Sequence, residues 1–126
     1  MVLFTTPPPV VLVVDDEALL RLNATEAFRH VGCEAYEACQ AEEALDMLER
    51  HPDISVLFTD INMPGKRDGM ALAGQVHRQR PDVRLIITSG RERPAPEDLP
   101  DDGQFIAKPY DIDAVADIVR AMPRRG

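Results

Sequence analysis

The amino-acid sequence predicts an α/β protein in which one parallel β-sheet carries helices on both faces. Two observations support this fold class. Apolar runs of strand length, rich in β-branched residues, stand at 10–14, 54–59 and 83–88, and two weaker candidates stand at 34–38 and 104–107. Runs of this kind suit strands buried on both faces of a sheet. Most of the intervals between them have apolar residues at helical spacing, and strands that alternate with helices favour a single parallel sheet.

Four segments are predicted to be helices. The first covers residues 18–31 and stops at Gly32, a residue type that commonly ends helices, and the second covers 41–48. The third covers 70–80, with Asp68 as its N-cap. The last covers 112–122 and is expected to turn five apolar side chains inward: Ile112, Val115, Ile118, Val119 and Met122.

Residues 91–103 interrupt this alternation, because they contain three prolines and five acidic residues. Each proline removes a backbone donor and biases the preceding residue away from helical geometry. Only residues 97–99 lie between Pro96 and Pro100, and so short a piece does not nucleate a helix without tertiary support. The segment is therefore predicted to be mostly irregular, with at most one turn near Glu97, and more mobile than the first and last helices.

Five strands joined in this way match the flavodoxin-like doubly wound fold, with strand order 2-1-3-4-5 and a short or irregular fourth helix. A chain of 126 residues is long enough for one domain with a core and too short for two. Residues 10–122 are predicted to form that domain. Residues 1–9 are predicted to be a leader, stiffened by three consecutive prolines, and residues 123–126 a C-terminal tail.

Charge and composition argue against several classes of partner. The 22 acidic and 14 basic residues give a net charge of −8, which disfavours direct binding to nucleic acid or to an anionic membrane. No apolar run approaches the roughly 20 residues of a membrane span, and the N-terminus lacks the basic start of a secretion signal. A cytoplasmic location is therefore expected. Cys33 and Cys39 would lie ~20 Å apart in an extended chain, so both are predicted to be unpaired apolar fillers.

Polar residues stand at the carboxyl ends of four predicted strands. Asp15 and Asp16 follow the first strand, Asp60 the third and Lys108 the fifth, and Thr88 ends the fourth. These ends share one edge of a parallel sheet, where open α/β sheets bind ligands. Three neighbouring carboxylates would repel one another unless a cation neutralised them, and oxygen ligands favour Mg²⁺. The hydroxyl of Thr88 and the ammonium of Lys108 can then donate to a phosphoryl group on Asp60.

Four motifs at this edge resemble the receiver (response regulator) domains of bacterial two-component signalling. The motifs are Val-Val-Asp-Asp-Glu, Thr-Asp-Ile-Asn-Met-Pro-Gly, Ile-Ile-Thr-Ser-Gly and Ala-Lys-Pro-Tyr, and the resemblance extends from about residue 10 to residue 122. It implies a switch domain that accepts a phosphoryl group from a sensor histidine kinase or a histidine phosphotransfer protein. The domain would then change conformation to pass on the signal.

The resemblance also implies roles for the acidic residues. Asp60 would be the phospho-acceptor, Asp16 the direct Mg²⁺ ligand and Asp15 a ligand acting through water. The backbone carbonyl of Asn62 would complete the protein ligands. The implied metal site thus comprises Asp15, Asp16, Asp60 and Asn62.

The same resemblance implies a set of switch residues. Thr88 would be the hydroxyl that moves toward the phosphoryl group, and Lys108 the invariant lysine. The bond from Lys108 to Pro109 is cis in the family. The aromatic switch position, three residues before the lysine, falls on Phe105.

Three features depart from the family pattern. Lys66 and Arg67 stand where most members have one residue, so the loop after Asp60 is longer and its basic pair is available to an acidic partner. Phe105 replaces the commoner Tyr, so rotamer switching would depend on packing alone. The segment 91–103 is shorter and richer in proline than the usual fourth helix, which puts the usual output face in question.

Three alternatives remain open from the sequence. The domain can serve as a phosphate sink, or as an interaction module that works without phosphorylation. A third reading is a Mg²⁺-dependent phosphatase of the haloacid dehalogenase type, which also uses an aspartate nucleophile. Such enzymes place a second aspartate two residues later as general acid, and here that residue is Asn62. A switch domain that only assists its own phosphorylation and dephosphorylation is therefore favoured over an enzyme.

Overall fold

In the computed structural model, which describes residues 7–100 and 103–122, strands and helices alternate as predicted. The five strands form one parallel sheet in the order β2-β1-β3-β4-β5, which confirms the doubly wound topology. The elements in chain order are β1 Val10–Val14, α1 Ala18–His30, β2 Glu34–Ala38, α2 Ala41–Arg50, β3 Val56–Asp60, α3 Gly69–Gln79, β4 Arg84–Ser89, a 3₁₀ turn Pro96–Asp98, β5 Gln104–Ala107 and α4 Ile112–Ala121.

The sheet separates two hydrophobic clusters. Val10, Leu12 and Val14 of β1 belong to the cluster under α2 and α3, whereas Val11 and Val13 belong to the cluster under α1 and α4. Every residue of β1 and β3 is buried, because both strands are internal to the sheet and covered on both sides. Burial on both faces explains why these segments are apolar without the alternation typical of a half-exposed strand.

Helix ends follow the local sequence signals. The Asp68 carboxylate accepts a hydrogen bond from the Ala71 amide, which confirms it as the N-cap of α3. Asp111 caps α4 in the same way, accepting from the amides of Asp113 and Ala114. After α1 the chain turns at Gly32, whose φ of +96° is a conformation that glycine adopts without a steric penalty.

Arg80 joins the end of α3 to the approach of β3. Its amide donates to the carbonyl of Val76, and its guanidinium donates to the carbonyls of Pro52 and Ile54 at 3.0 Å each. The same guanidinium forms an ion pair with Asp82, which lowers the pKa of that carboxyl through the hydrogen bonds to Arg80. One side chain thus satisfies two backbone acceptors between separate elements.

The connection between β4 and β5 is short and largely irregular, as predicted. Among residues 90–100 and 103, the only regular structure is the single 3₁₀ turn Pro96–Asp98. Leu99, just beyond the turn, packs against the cluster under α2 and α3. The predicted greater mobility of this connection stays a prediction.

Two predictions about side-chain placement are wrong. Ile118 is 55% exposed, because the buried stripe of α4 runs through Val115, Ala116 and Val119 and leaves residue 118 about 100° off that stripe. Cys39 is exposed as well, whereas Cys33 is buried, and both thiols are free.

Several element limits also differ from the predictions by one or two residues, and Asp60 is the last residue of β3 itself. Residues 1–6 of the predicted leader and the tail 123–126 lie outside the described residues, so the domain limits stay a prediction. No helix in the described part of the chain is both long enough and apolar enough to cross a membrane.

Candidate functional site

The predicted polar residues meet at the carboxyl edge of the sheet. Asp60 ends β3 and lies in register with Thr88 of β4. Asp15 directly follows β1, and its amide donates to the carbonyl of Ala38, the last residue of β2. Lys108 directly follows β5. Strand pairing therefore brings together residues that lie far apart in the sequence.

Three carboxylates form the centre of this site. Asp15, Asp16 and Asp60 each contribute an oxygen atom, and these oxygens lie within 4.8 Å of one another. Asp15 and Asp60 are 5% and 6% exposed, whereas Asp16 is exposed. The amide of Glu17 donates to the Asp15 carboxylate at 2.9 Å and holds its orientation. The site has two fixed carboxylates at its base and a third at its solvent side.

Lys108 forms ion pairs with two of these carboxylates. Its Nζ atom lies 3.5 Å from Oδ1 of Asp60 and 3.7 Å from Oδ2 of Asp15. One ammonium does not balance three carboxylates. Burial, reinforced by neighbouring acids and opposed by Lys108, raises the pKa of both Asp15 and Asp60. Burial also raises the pKa of Tyr110 to about 12, so this nearby phenol stays neutral.

The donor set fits a hard divalent cation. All three clustered side chains are carboxylates, and hard cations such as Mg²⁺ take oxygen ligands and need only a few of them from the protein. The excess negative charge favours binding of such a cation. Because Asp16 is exposed, the cation can reach the site from solvent. Asn62, the fourth predicted ligand, is exposed two residues beyond Asp60, and its role as a ligand stays a prediction.

The two predicted switch residues lie on neighbouring strands. Thr88 is 2% exposed at the end of β4 beside Asp60. Phe105 of β5 lies in register with Ile87 and is half-buried against the cluster under α2 and α3. The Lys108–Pro109 peptide bond is cis, as the resemblance implied.

Known proteins with similar sequences and structures belong to the family that the motifs resemble. The profile of the response regulator receiver domain matches residues 11–120. The chain belongs to this family. The receiver domain of the hybrid histidine kinase CckA, a solved structure, is 32% identical and superposes with a TM-score of 0.73 over 87% of this chain and 94% of that one.

Two curated relatives illustrate the range of the family. Sporulation initiation phosphotransferase F of Bacillus subtilis is 30% identical over 87% of this chain and 90% of its own length. The sensor kinase CckA of Brucella abortus is 30% identical over 89% of this chain, but the match spans only 12% of the kinase. This receiver domain therefore matches both a protein of its own size and a small part of a much longer one.

Gly69 is a site residue that the sequence reasoning missed. It directly follows the helix cap Asp68 and lies against the backbone of Asp60. Its amide donates to the carbonyl of Ile61 at 2.8 Å, and its α-carbon leaves no room for a side chain beside the backbone of Asp60. The available signal was an Asp-Gly pair at a helix start, and the contact itself depends on how α3 returns to the sheet.

The longer loop after Asp60 is attached to α2. Arg67 forms an ion pair with Glu42, and Gly65 turns with a φ of +103° beside the side chain of Gln40. Of the basic pair predicted to be available to a partner, Arg67 is therefore already paired within the receiver domain, and Lys66 is exposed.

Proposed function

We propose that this receiver domain accepts a phosphoryl group on Asp60 from a phosphohistidine of a sensor kinase or a histidine phosphotransfer protein. The observation that carries the proposal is the convergence of a buried aspartate, two further aspartates and a lysine at one edge of the sheet. Family membership supports the same reading. The expected cytoplasmic location stays a prediction.

The chemistry follows from the placement of these groups. A carboxylate oxygen of Asp60 attacks the phosphorus atom, the bond to the donor imidazole breaks, and the donor leaves as neutral imidazole after protonation. The Nζ atom of Lys108, 3.5 Å from that carboxylate, is placed to donate to a phosphoryl oxygen, and Thr88 supplies a hydroxyl from the adjacent strand. Bound Mg²⁺ would supply positive charge to offset the phosphoryl oxygens.

The proposed metal ligands are Asp16 directly, Asp15 through water, Asp60, and the backbone carbonyl of Asn62. Asp16→Ala should weaken Mg²⁺ binding more than Asp15→Ala, because the first removes a direct ligand charge. A Mg²⁺ titration of the two variants decides, and the reverse order of affinities would overturn this ligand assignment. Asp46→Asn, which alters an exposed acid on α2, serves as the control.

Incubation with Mg²⁺ and acetyl phosphate, followed by intact-mass measurement, tests phosphorylation. The parent protein should gain the mass of one phosphoryl group, and Asp60→Asn should gain none. The Asp46→Asn control should label like the parent. If Asp60→Asn labels as well as the parent, the acceptor is another residue. If no protein labels, the result counts against the proposal and favours the interaction-module alternative.

The signal is proposed to pass through the connection between β4 and β5. This connection joins Thr88 to Phe105 and has little regular structure, so its rearrangement costs little. Amide hydrogen exchange with and without a beryllofluoride phosphoryl mimic tests the proposal. Exchange across 94–100 should differ between the two states. Strong protection of those amides in the free protein would contradict an easily rearranged connection, and identical exchange in both states would favour a phosphate sink.

A further inference from the structure

Ser89, the last residue of β4, forms several hydrogen bonds beside the three-carboxylate site. The residue is fully buried, and its hydroxyl donates to Oδ1 of Asn62 at 3.1 Å. The same oxygen accepts from the amides of Arg91 at 3.1 Å and Glu92 at 2.9 Å. Its backbone carbonyl accepts from the amide of Lys108 at 3.0 Å. A serine hydroxyl has one proton and two lone pairs, so all of its hydrogen-bonding capacity is used.

We propose that Ser89 is a positioning residue. It couples Asn62, which lies on the loop 61–68 after Asp60 (the acceptor loop), to the first residues of the β4–β5 connection. The proton given to Asn62 sets the rotation of the hydroxyl, and that rotation aims the two lone pairs at the amides of Arg91 and Glu92. Donation to Asn62 also polarises the hydroxyl and so strengthens the hydrogen bonds that its oxygen accepts. A displacement of Asn62 should therefore weaken the hydrogen bonds from the amides of Arg91 and Glu92 to Ser89, although Asn62 is not a partner in either bond.

The coupling has a place in signalling, and in this respect it rests on the proposed function. Asn62 stands two residues beyond the proposed acceptor Asp60 and is a proposed metal ligand. The connection that begins at residue 90 leads from Thr88 to Phe105. Ser89 gives the acceptor loop a direct route to that connection. The coupling itself is a property of the unphosphorylated, metal-free protein, and it can be measured there.

A double-mutant cycle of Ser89→Ala and Asn62→Ala tests this coupling through amide exchange at Arg91 and Glu92. The measurement is made in EDTA without phosphate and is normalised to amides of β3. Ser89→Ala removes the shared acceptor, so both amides should exchange about three- to tenfold faster. Asn62→Ala leaves that acceptor in place but frees its proton, so it should accelerate the same amides by a smaller factor. The double variant should exchange no faster than Ser89→Ala alone.

Thr25→Ala is the matched control. Thr25 is likewise fully buried, and among the described residues its hydroxyl bonds to two carbonyls of its own helix α1, those of Arg21 and Leu22. It should change global stability without changing the normalised exchange at Arg91 and Glu92. The proposal is wrong if Asn62→Ala leaves these two amides unchanged, or if the effects of the two substitutions multiply in the double variant.

A second arm separates this proposal from the proposed function. With Mg²⁺ and beryllofluoride, exchange at Arg91 and Glu92 should change in the parent protein, and Ser89→Ala should bind the mimic but lose that response. A response that persists in Ser89→Ala overturns the route through Ser89. If the parent does not bind the mimic, the proposed function fails, and the double-mutant cycle in EDTA still decides the coupling.

Discussion

Replacing Gly69 with alanine probes how the first turn of α3 sets the position of the acceptor. A Cβ atom at residue 69 would lie 1.9 Å from the carbonyl oxygen of Asp60, 2.7 Å from its carbonyl carbon and 2.8 Å from the α-carbon of Ile61. Non-bonded carbon atoms settle at about 3.5–4.0 Å. The start of α3 and the end of β3 must therefore move apart, and the hydrogen bond from Gly69 to Ile61 is stretched or lost.

The magnitude follows from these contacts. Forcing an extra methyl group into a packed site costs about 1–3 kcal/mol, and a lost backbone hydrogen bond adds about 1 kcal/mol. We therefore expect Gly69→Ala to lower the free energy of unfolding by about 2–4 kcal/mol, a large part of the roughly 5–15 kcal/mol of a typical domain. Because the moving backbone carries Asp60, phosphorylation should also slow, by up to about 100-fold for a displacement near 1 Å.

Urea unfolding measures the stability change, and the initial rate of mass gain with acetyl phosphate measures the effect on the acceptor. Gly74→Ala is the matched control, since it makes the same substitution in the same helix. A Cβ there meets only the end of the Arg78 side chain, at 3.5 Å. That variant should gain about 0.5–1 kcal/mol from the better helix propensity of alanine. A Gly69→Ala protein within 0.5 kcal/mol of its parent, and labelled at the parental rate, would refute this reasoning.

Three further predictions concern other positions. The raised pKa of Asp60 means that the folded metal-free protein holds a proton more tightly than the unfolded chain. Its stability should fall as the pH rises above the unfolded value of 3.8 and through the raised pKa, and Asp60→Asn should reduce this fall in urea titrations with EDTA. Arg80→Met should cost about 1–3 kcal/mol in urea unfolding because it leaves backbone acceptors unpaired, whereas Arg50→Met, which breaks an exposed ion pair, should cost under about 1 kcal/mol. Replacing Gly90 with leucine, which would lie over Lys108, should lengthen the phosphoryl lifetime by hindering water, and an unchanged or shorter lifetime by intact mass would contradict that account.

The fold and the centre of the site could be predicted because their signals are local and strong. Buried parallel strands require continuous apolar runs, and those runs end at the polar residues of the site. Once the strands are parallel, Asp15, Asp60, Thr88 and Lys108 must share an edge. The irregular connection between β4 and β5 could be predicted for the same reason, because each proline constrains the backbone locally.

What the sequence did not disclose depends on distances between separate elements. The Asp-Gly pair at 68–69 indicates a helix start, but it does not show that the α-carbon of Gly69 lies against the backbone of Asp60, because that contact is set by the angle at which α3 meets the sheet. Ser89 stands in the Ile-Ile-Thr-Ser-Gly motif, but the three hydrogen bonds of its hydroxyl depend on two separate loops meeting. The prediction for Ile118 is wrong because hydrophobicity alone does not define the edge of a helical stripe, and part of the surface of every protein is apolar.

The short connection between β4 and β5 has a consequence for how such a domain can diversify. Residues 90–100 add few apolar side chains to the core, with Leu99 the clearest contribution. The entropy needed to close a flexible loop grows only with the logarithm of its length, so doubling that length costs about 0.6 kcal/mol. Insertions at the exposed part of this connection should therefore leave the sheet and its acid cluster intact. This crossover is where the chain can acquire a new surface without rebuilding the three-carboxylate site.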